Sequence, residues 1–171
     1  MKFDATSLRY ERKFILEDSS INSLLFLKYC LPFDFEEIFH ERVINSIYYD
    51  TQNLFLAKQG IEGDSERSKI RVRYYGDSNS IEMPILEVKI KKGYVGDKYK
   101  IPIEREKLLN SNFRLSEFLK ETLVSYEFND IVSFLKPIAF VSYKRNYYTA
   151  FSNGFRFTFD RDISFKMINS Y

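Results

Sequence analysis

The sequence predicts an α+β domain in which an antiparallel β tunnel or barrel carries helices packed on its outside. Several short segments alternate apolar and charged side chains, as half-buried strands do. The stretch 104–134 instead has helical spacing of its leucines and phenylalanines, and turn signals such as the Ser-Asn-Gly at 152–154 separate neighbouring segments. Strands therefore dominate the predicted fold, and one helical insertion interrupts them.

The predicted elements follow in a simple order. Residues 9–16 alternate as a first strand, and the Asp-Ser-Ser at 18–20 is a typical helix start. A short helix is predicted at 53–58, and helices are predicted within 104–134. Further strands are predicted at 42–50, 69–76, 85–92, 98–103, 138–151 and 155–163. We therefore expect a sheet of six to eight strands.

Composition limits the class of protein. The 171 residues are 44% hydrophobic, enough for one sizeable core, so we assign 1–171 to a single domain. The formal net charge of +2 is too small for a protein that coats nucleic acid. The single cysteine, Cys30, excludes an internal disulfide and agrees with a cytoplasmic setting. No segment has the ~20 apolar residues of a membrane span, so any membrane association would come through other parts or partners.

The segment KIRVRYYG at 69–76 places a cation at every second position. Successive side chains of a strand point to opposite faces, so Lys69, Arg71 and Arg73 share one face and Ile70 and Val72 the other. Charged rows recur in the other predicted strands. Their members are Glu11 and Lys13; Glu87, Lys89 and Lys91; Lys98 and Lys100; Tyr143, Arg145 and Tyr147; and Arg156, Thr158, Asp160 and Asp162.

A cationic face shared by several strands requires a reason, because like charges on neighbouring strands repel. For KIRVRYYG alone, a solvated strand face is the usual interpretation. The matching rows on other strands favour a barrel with an apolar outside, covered by helices, and a wet positive interior. Such a tunnel concentrates positive potential, and arginine forks suit phosphate oxygens. The expected ligand is therefore a polyanion.

Seven motifs in this order resemble the VTC domain, the polyphosphate polymerase branch of the triphosphate tunnel metalloenzyme (CYTH-like) superfamily. They are RYERKF, SIYYDT, GIEGDSERSKIRVRYYG, LEVKIKKG, KYKIPI, PIAFVSYKRNYY and GFRFTFDRDI. The resemblance implies an antiparallel tunnel whose basic side chains hold ATP, triphosphate or polyphosphate, with Mn²⁺ or Mg²⁺ bound by carboxylates. Enzymes of this branch transfer the γ-phosphate of ATP to a growing polyphosphate, which would make this chain an ATP:polyphosphate phosphotransferase.

The resemblance also implies individual roles. Residues that match the family's phosphate-binding cations are Lys13, Arg71, Arg73, Lys89, Arg145 and Arg156, and Tyr143 matches a tunnel tyrosine. We assign catalysis to Arg71, Arg73, Lys89 and Arg145, and substrate binding to Lys13, Lys98, Lys100, Tyr143 and Arg156. The candidate metal ligands are Glu11, Glu87 and Asp160, since hard divalent ions favour carboxylates. The same three carboxylates could instead be ion-pair partners that space the cations.

Two departures from the family pattern bear on function. Arg9 stands where the sister branch of cyclases and thiamine-triphosphatases has a glutamate, which favours the polymerase-like branch. Residues 164–171 contain neither the family's metal-binding glutamate nor its last Leu-Glu-x-Lys strand. We therefore expect the tunnel to need a further C-terminal segment or a partner chain to close.

Three functions remain open at this point. They are polyphosphate synthesis, hydrolysis of triphosphate or polyphosphate, and noncatalytic polyphosphate binding. A single histidine and a single cysteine leave no zinc or Cys-His site, and the glycines at 93 and 96 lack the spacing of a P-loop. Nucleic acid is not an expected partner, because the aromatic residues follow strand alternation and are better explained as core.

Overall fold

The computed structural model describes residues 11–16, 21–30, 34–77, 80–110, 113–122, 129–150 and 154–168. The chain divides into two units, Met1–Asp34 and Phe35–Tyr171. The first unit contains helix α1 (Ile21–Cys30), and the helix start predicted at 18–20 lies outside the described residues. Residues 11–16 form no strand, so the strand predicted at 9–16 is wrong there. Alternation alone does not make a strand, because the backbone also needs a hydrogen-bonding neighbour.

Among its described residues, the second unit is built on a six-stranded antiparallel sheet with the strand order β4-β3-β2-β1-β5-β6. The strands are β1 (Glu36–Asp50), β2 (Glu66–Tyr75), β3 (Glu82–Lys92), β4 (Val95–Pro102), β5 (Lys136–Ala150) and β6 (Phe155–Met167). The helices are α2 (Phe55–Glu62), α3 (Arg105–Leu109), α4 (Leu115–Thr122) and α5 (Asn129–Val132). The central strand β1 joins the meander β2–β4 to the hairpin β5–β6.

The predicted α+β class and antiparallel sheet are confirmed. Each strand predicted from residue 42 onward is present, with limits that differ by up to six residues, and the described part of the helical insertion contains three short helices. Over the described residues the sheet is open, as in a partial tunnel, with β4 and β6 at its edges. Among the described helices, none has the length and apolar character that crossing a bilayer requires.

Helices cover the apolar face of β2 and β3. Ile70, Val72, Leu86 and Val88 are at most 1% exposed. They form one core with side chains of α2, α4 and α5, namely Leu56, Leu115, Phe118, Leu119 and Val132. This is the face that alternation predicted to be apolar. The side chains between these residues consequently point to the opposite face of the sheet.

Asp50 is the last residue of β1, and its carboxylate caps helix α2, which begins at Phe55. Its carboxylate accepts hydrogen bonds from the backbone N–H groups of Thr51 at 2.7 Å and of Leu56 and Ala57 at 2.9 Å. A carboxylate at a helix N-terminus satisfies unpaired donors and interacts favourably with the helix dipole. This cap holds α2 beside the sheet, where Leu56 enters the core.

A β-bulge in β1 changes which of its side chains share a face. The pairing with β5 runs from Phe39 opposite Tyr147 to Arg42 opposite Arg145. Three steps along β1 thus correspond to two steps along β5, which leaves one extra residue in β1. Phe39 and Arg42 consequently lie on the same face, although their numbers differ by an odd interval.

A second bulge lies in the edge strand β6. Its pairing with β5 passes from Arg161 opposite Lys144 to Ser164 opposite Ser142, with Asp162 inside the bulge at a φ of 53°. The Asp162 carboxylate pairs with Lys144 Nζ at 2.8 Å. Simple alternation placed Asp162 in the row of Asp160, and this prediction is wrong because the bulge redirects the side chain.

Candidate functional site

The face of the sheet opposite the helices carries most of the predicted cations, and we call it the basic face. Cross-strand pairing aligns Lys69, Lys89 and Lys98 in one row of three strands. The next row holds Arg71, Glu87 and Lys100, and Arg73 follows on β2. Over these three strands, the two rows and Arg73 contain six cations and one carboxylate. The rows predicted on separate strands therefore do share one face.

Glu87 is the centre of an ion-pair network. Its side chain is buried, with the carboxylate Oε2 at 2.6 Å from Arg71 Nη2 and Oε1 at 2.8 Å from Lys98 Nζ. Arg71 also donates a hydrogen bond from Nη1 to the Tyr48 hydroxyl at 3.0 Å. Two of the predicted cations are thus already neutralised in part by one carboxylate.

The same network shifts the pKa values of its members. Burial by itself would raise the pKa of Glu87, but the hydrogen bond from Lys98 and the charge of Arg71 outweigh it and lower the pKa from 4.5 to about 2. Burial likewise opposes the charge of Arg71, yet Tyr48 and Glu87 together raise its pKa. Both groups therefore remain charged over the physiological range.

The low pKa of Glu87 makes stability depend on pH. A carboxyl group whose pKa is lower in the folded chain stabilises it above the unfolded pKa of about 4.5, and this contribution is lost as pH falls towards 2. We expect the unfolding free energy of the wild type to fall more between about pH 5 and pH 3 than that of Glu87→Gln. Urea titrations of both proteins across this range measure the difference, and parallel losses would contradict the assignment.

Arg73 connects the two halves of the sheet. Its Nη2 donates a hydrogen bond of 3.0 Å to the hydroxyl of Tyr143 on β5, over the intervening strand β1. The β1 residue directly opposite Arg73 is the small, buried Ser46, which leaves room for this contact. Within the described residues, Arg73 Nε and Ser46 Oγ are buried without a hydrogen-bond partner. Arg73 makes no direct ion pair with a described carboxylate, but its charge helps to lower the pKa of Glu87.

Arg145 is held by a carboxylate of the neighbouring strand. Its Nε and Nη2 donate to the two oxygens of Asp160 at 2.5 and 2.6 Å. The guanidinium carbon also lies 5.1 Å from the ring centroid of Tyr143 and 6.0 Å from that of Tyr147. Burial disfavours the charge, but the hydrogen bonds to Asp160 and the nearby Tyr143 raise the pKa of Arg145.

Arg42 belongs to the same cluster, and the sequence did not reveal it. Its guanidinium carbon lies 4.3 Å from the ring centroid of Phe39, 5.5 Å from that of Tyr75 and 5.8 Å from that of Tyr147. The sequence signal was a single cation at the start of the strand predicted at 42–50, where no charged row follows. Uninterrupted pairing from Ser46 opposite Val141 to Arg42 opposite Arg145 places Arg42 beside Arg145, and the bulge adds Phe39 to the same face.

The whole chain can be compared with known families. The model of the VTC domain matches residues 8–170. The chain belongs to the VTC domain family. This family lies in the tunnel-metalloenzyme-like group of polyphosphate polymerases, so its function is related to polyphosphate. A comparison with curated proteins gives no match.

Within the unit Phe35–Tyr171 of this VTC domain, the predicted site residues do not all lie in one cluster. Lys89 and Lys100 are exposed on the basic face, in the rows described above. Arg156 is exposed and pairs with Thr149 near the start of β6, four residues from Asp160 and ~13 Å along the strand. Glu11 and Lys13 form an exposed ion pair of 3.6 Å within the unit Met1–Asp34.

Two carboxylates of this VTC domain that were predicted to bind a divalent ion, Glu87 and Asp160, are paired with cations. Glu87 holds Arg71 and Lys98, and Asp160 holds Arg145 with both oxygens. Across the part of the chain that the structure describes, no group of three His, Cys, Asp or Glu side chains is placed to hold a metal. As arranged, Glu87 and Asp160 do not fit a metal ion, and their assignment as ligands stays a prediction.

Proposed function

We propose that this VTC domain binds the phosphate chain of ATP on its basic face and transfers the γ-phosphate to a growing polyphosphate. The supporting observation is Arg73, a partly buried guanidinium whose Nε has no hydrogen-bond partner and whose charge interacts with Glu87 without a direct ion pair among the described residues. A cation in this position is stabilised by an anion from outside the chain. Phosphate is a suitable one, because arginine donates two parallel hydrogen bonds to phosphate oxygens.

In the proposed reaction the protein positions charges and supplies no nucleophile. A terminal oxygen of polyphosphate attacks the γ-phosphorus of ATP, the bond to the β-γ bridging oxygen breaks, and ADP leaves with the electron pair. Arg73 holds the phosphate chain, with Arg71 and Arg145 beside it. Lys89 and Lys98 add point charges that stabilise the negative charge developing on the phosphate oxygens in the transition state.

The divalent ion remains part of the proposal. Because Glu87 and Asp160 are paired with cations, we propose that Mn²⁺ or Mg²⁺ would be held mainly by phosphate oxygens of the substrate, which such hard ions prefer. The ion would neutralise charge on the phosphate chain. The proposal also includes a partner chain that closes the open sheet and a cytoplasmic location with access to ATP.

Noncatalytic polyphosphate binding is the second candidate function. It is favoured by the ion pairs of Arg71 with Glu87 and of Arg145 with Asp160, which engage two of the three arginines assigned to catalysis. A site that only binds phosphate needs no rearrangement of these pairs. A site that transfers phosphate needs at least one arginine to turn towards the γ-phosphate.

Incubation of the chain with ATP and Mn²⁺ separates these functions. We expect a ladder of polyphosphate on a gel, which Arg73→Ala abolishes. Free phosphate without a ladder would identify hydrolysis by the same site. Tripolyphosphate binding without any turnover would identify a binding module, and absence of both binding and turnover would refute the proposal. A rate per chain that rises with protein concentration would indicate that a second copy completes the site.

A further inference from the structure

We infer that Arg42 is a second phosphate-binding position of the basic face, used by polyphosphate chains and not by a triphosphate. The inference rests on the proposed function, because it assigns a longer ligand to the same face. Arg42 lies outside the residues that the family resemblance implicates. A second position at Arg42 would make the affinity of the basic face for its ligand depend on the length of the phosphate chain.

The surroundings of Arg42 keep its charge available. The contacts to Phe39, Tyr75 and Tyr147 are with ring faces, which attract a cation but leave its N–H groups free to donate. Among the described residues, Arg42 has no carboxylate in ion-pair range. Aromatic rings therefore contact the guanidinium of Arg42, whereas Arg71 and Arg145 form ion pairs with Glu87 and Asp160.

The position of Arg42 opposite Arg145 also indicates an anion. The two arginines are direct cross-strand partners, and like charges in this arrangement are destabilising. Asp160 neutralises Arg145 but makes no ion pair with Arg42. A phosphate bound at Arg42 would relieve the remaining repulsion, which a neutral ligand could not do.

Distance along the sheet explains why chain length should matter. Arg73 of β2 lies opposite Ser46 of β1. Arg42 is also on β1, four residues from Ser46. Four residues of a strand span ~13 Å. A tripolyphosphate centred on Arg73 covers only part of this interval, whereas a long polyphosphate can contact Arg73 and Arg42 together. Simultaneous contacts strengthen binding without any change at the first position.

The test compares two ligands, tripolyphosphate and a polyphosphate of some tens of units, by calorimetry. We expect Arg42→Ala to weaken binding of the long chain about fivefold and to change the Kd of tripolyphosphate by less than about twofold. Arg114→Ala is the matched control, since Arg114 is an exposed arginine before α4 and outside the basic face. It should leave both affinities unchanged.

Each other outcome has a definite meaning. Equal losses for both ligands would place Arg42 in the triphosphate position and overturn the inference, as would unchanged binding of the long chain. Arg42→Gln, which keeps part of the stem without the charge, decides the matter if Arg42→Ala does not fold. Failure of the wild type to bind either ligand would instead refute the proposed function itself.

Discussion

Arg73→Ala is expected to weaken tripolyphosphate binding by about 10- to 100-fold, because hydrogen bonds to charged groups contribute ~1.5–3 kcal/mol and each 1.4 kcal/mol is tenfold in affinity. The fold should remain intact. Arg73 makes no ion pair with a described carboxylate, and the substitution removes one hydrogen bond to Tyr143. Calorimetry at two salt concentrations measures the effect, and the salt dependence of binding should be weaker in the variant, which carries one charge fewer on the basic face.

Two comparisons make the Arg73 experiment specific. Arg114→Ala removes the same charge from an exposed position outside the basic face and should bind as the wild type does. Thermal unfolding of both variants shows whether the fold is intact. If Arg73→Ala binds tripolyphosphate as tightly as Arg114→Ala does, the proposal that Arg73 is central to phosphate binding is wrong.

Glu87→Gln should lower the stability of the fold but strengthen the binding of tripolyphosphate. Removing one partner of a buried ion pair leaves the other uncompensated, and the partial exposure of Arg71 reduces the usual loss to about 2 kcal/mol. For a chain of this length the midpoint of thermal unfolding should fall by roughly 6 °C. Binding of tripolyphosphate without metal should nevertheless become tighter, because the carboxylate that repels phosphate and holds Arg71 and Lys98 is gone.

This pair of effects separates the two roles proposed for Glu87. An ion-pair partner predicts lower stability and tighter metal-free binding, while a metal ligand predicts unchanged metal-free binding and weaker binding of Mn²⁺. The matched control is Glu82→Gln, an exposed carboxylate at the start of the same strand. Loss of Mn²⁺ affinity with unchanged stability would favour the metal-ligand role and contradict the arrangement described here.

Local alternation was sufficient to predict the strands from residue 42 onward and the charged face of β2. Ile70 and Val72 are buried and Arg71 and Arg73 face the other side, as KIRVRYYG indicates. This succeeds because the two-residue period of a strand is a local property of the backbone. The helical insertion was recognised for the same reason, through a different period.

Properties that depend on pairing between distant strands could not be predicted. The bulges that bring Phe39 to the face of Arg42 and turn Asp162 away from the basic face are irregularities of register, which alternation assumes to be absent. The choice of Glu87 and Asp160 as partners of arginine likewise follows from register. Residues 11–16 alternate like a strand, but no described strand pairs with them.

The hydrogen bond from Arg73 to Tyr143 joins residues 70 positions apart in sequence. The meander β2–β4 forms from neighbouring segments, whereas β1 must meet β5 across the whole of that meander and helices α3–α5. Closing a longer loop removes more chain entropy, and folding is slower when contacts are non-local. The basic face is thus assembled by the least local pairing of the described sheet, and it forms only when the whole fold is complete.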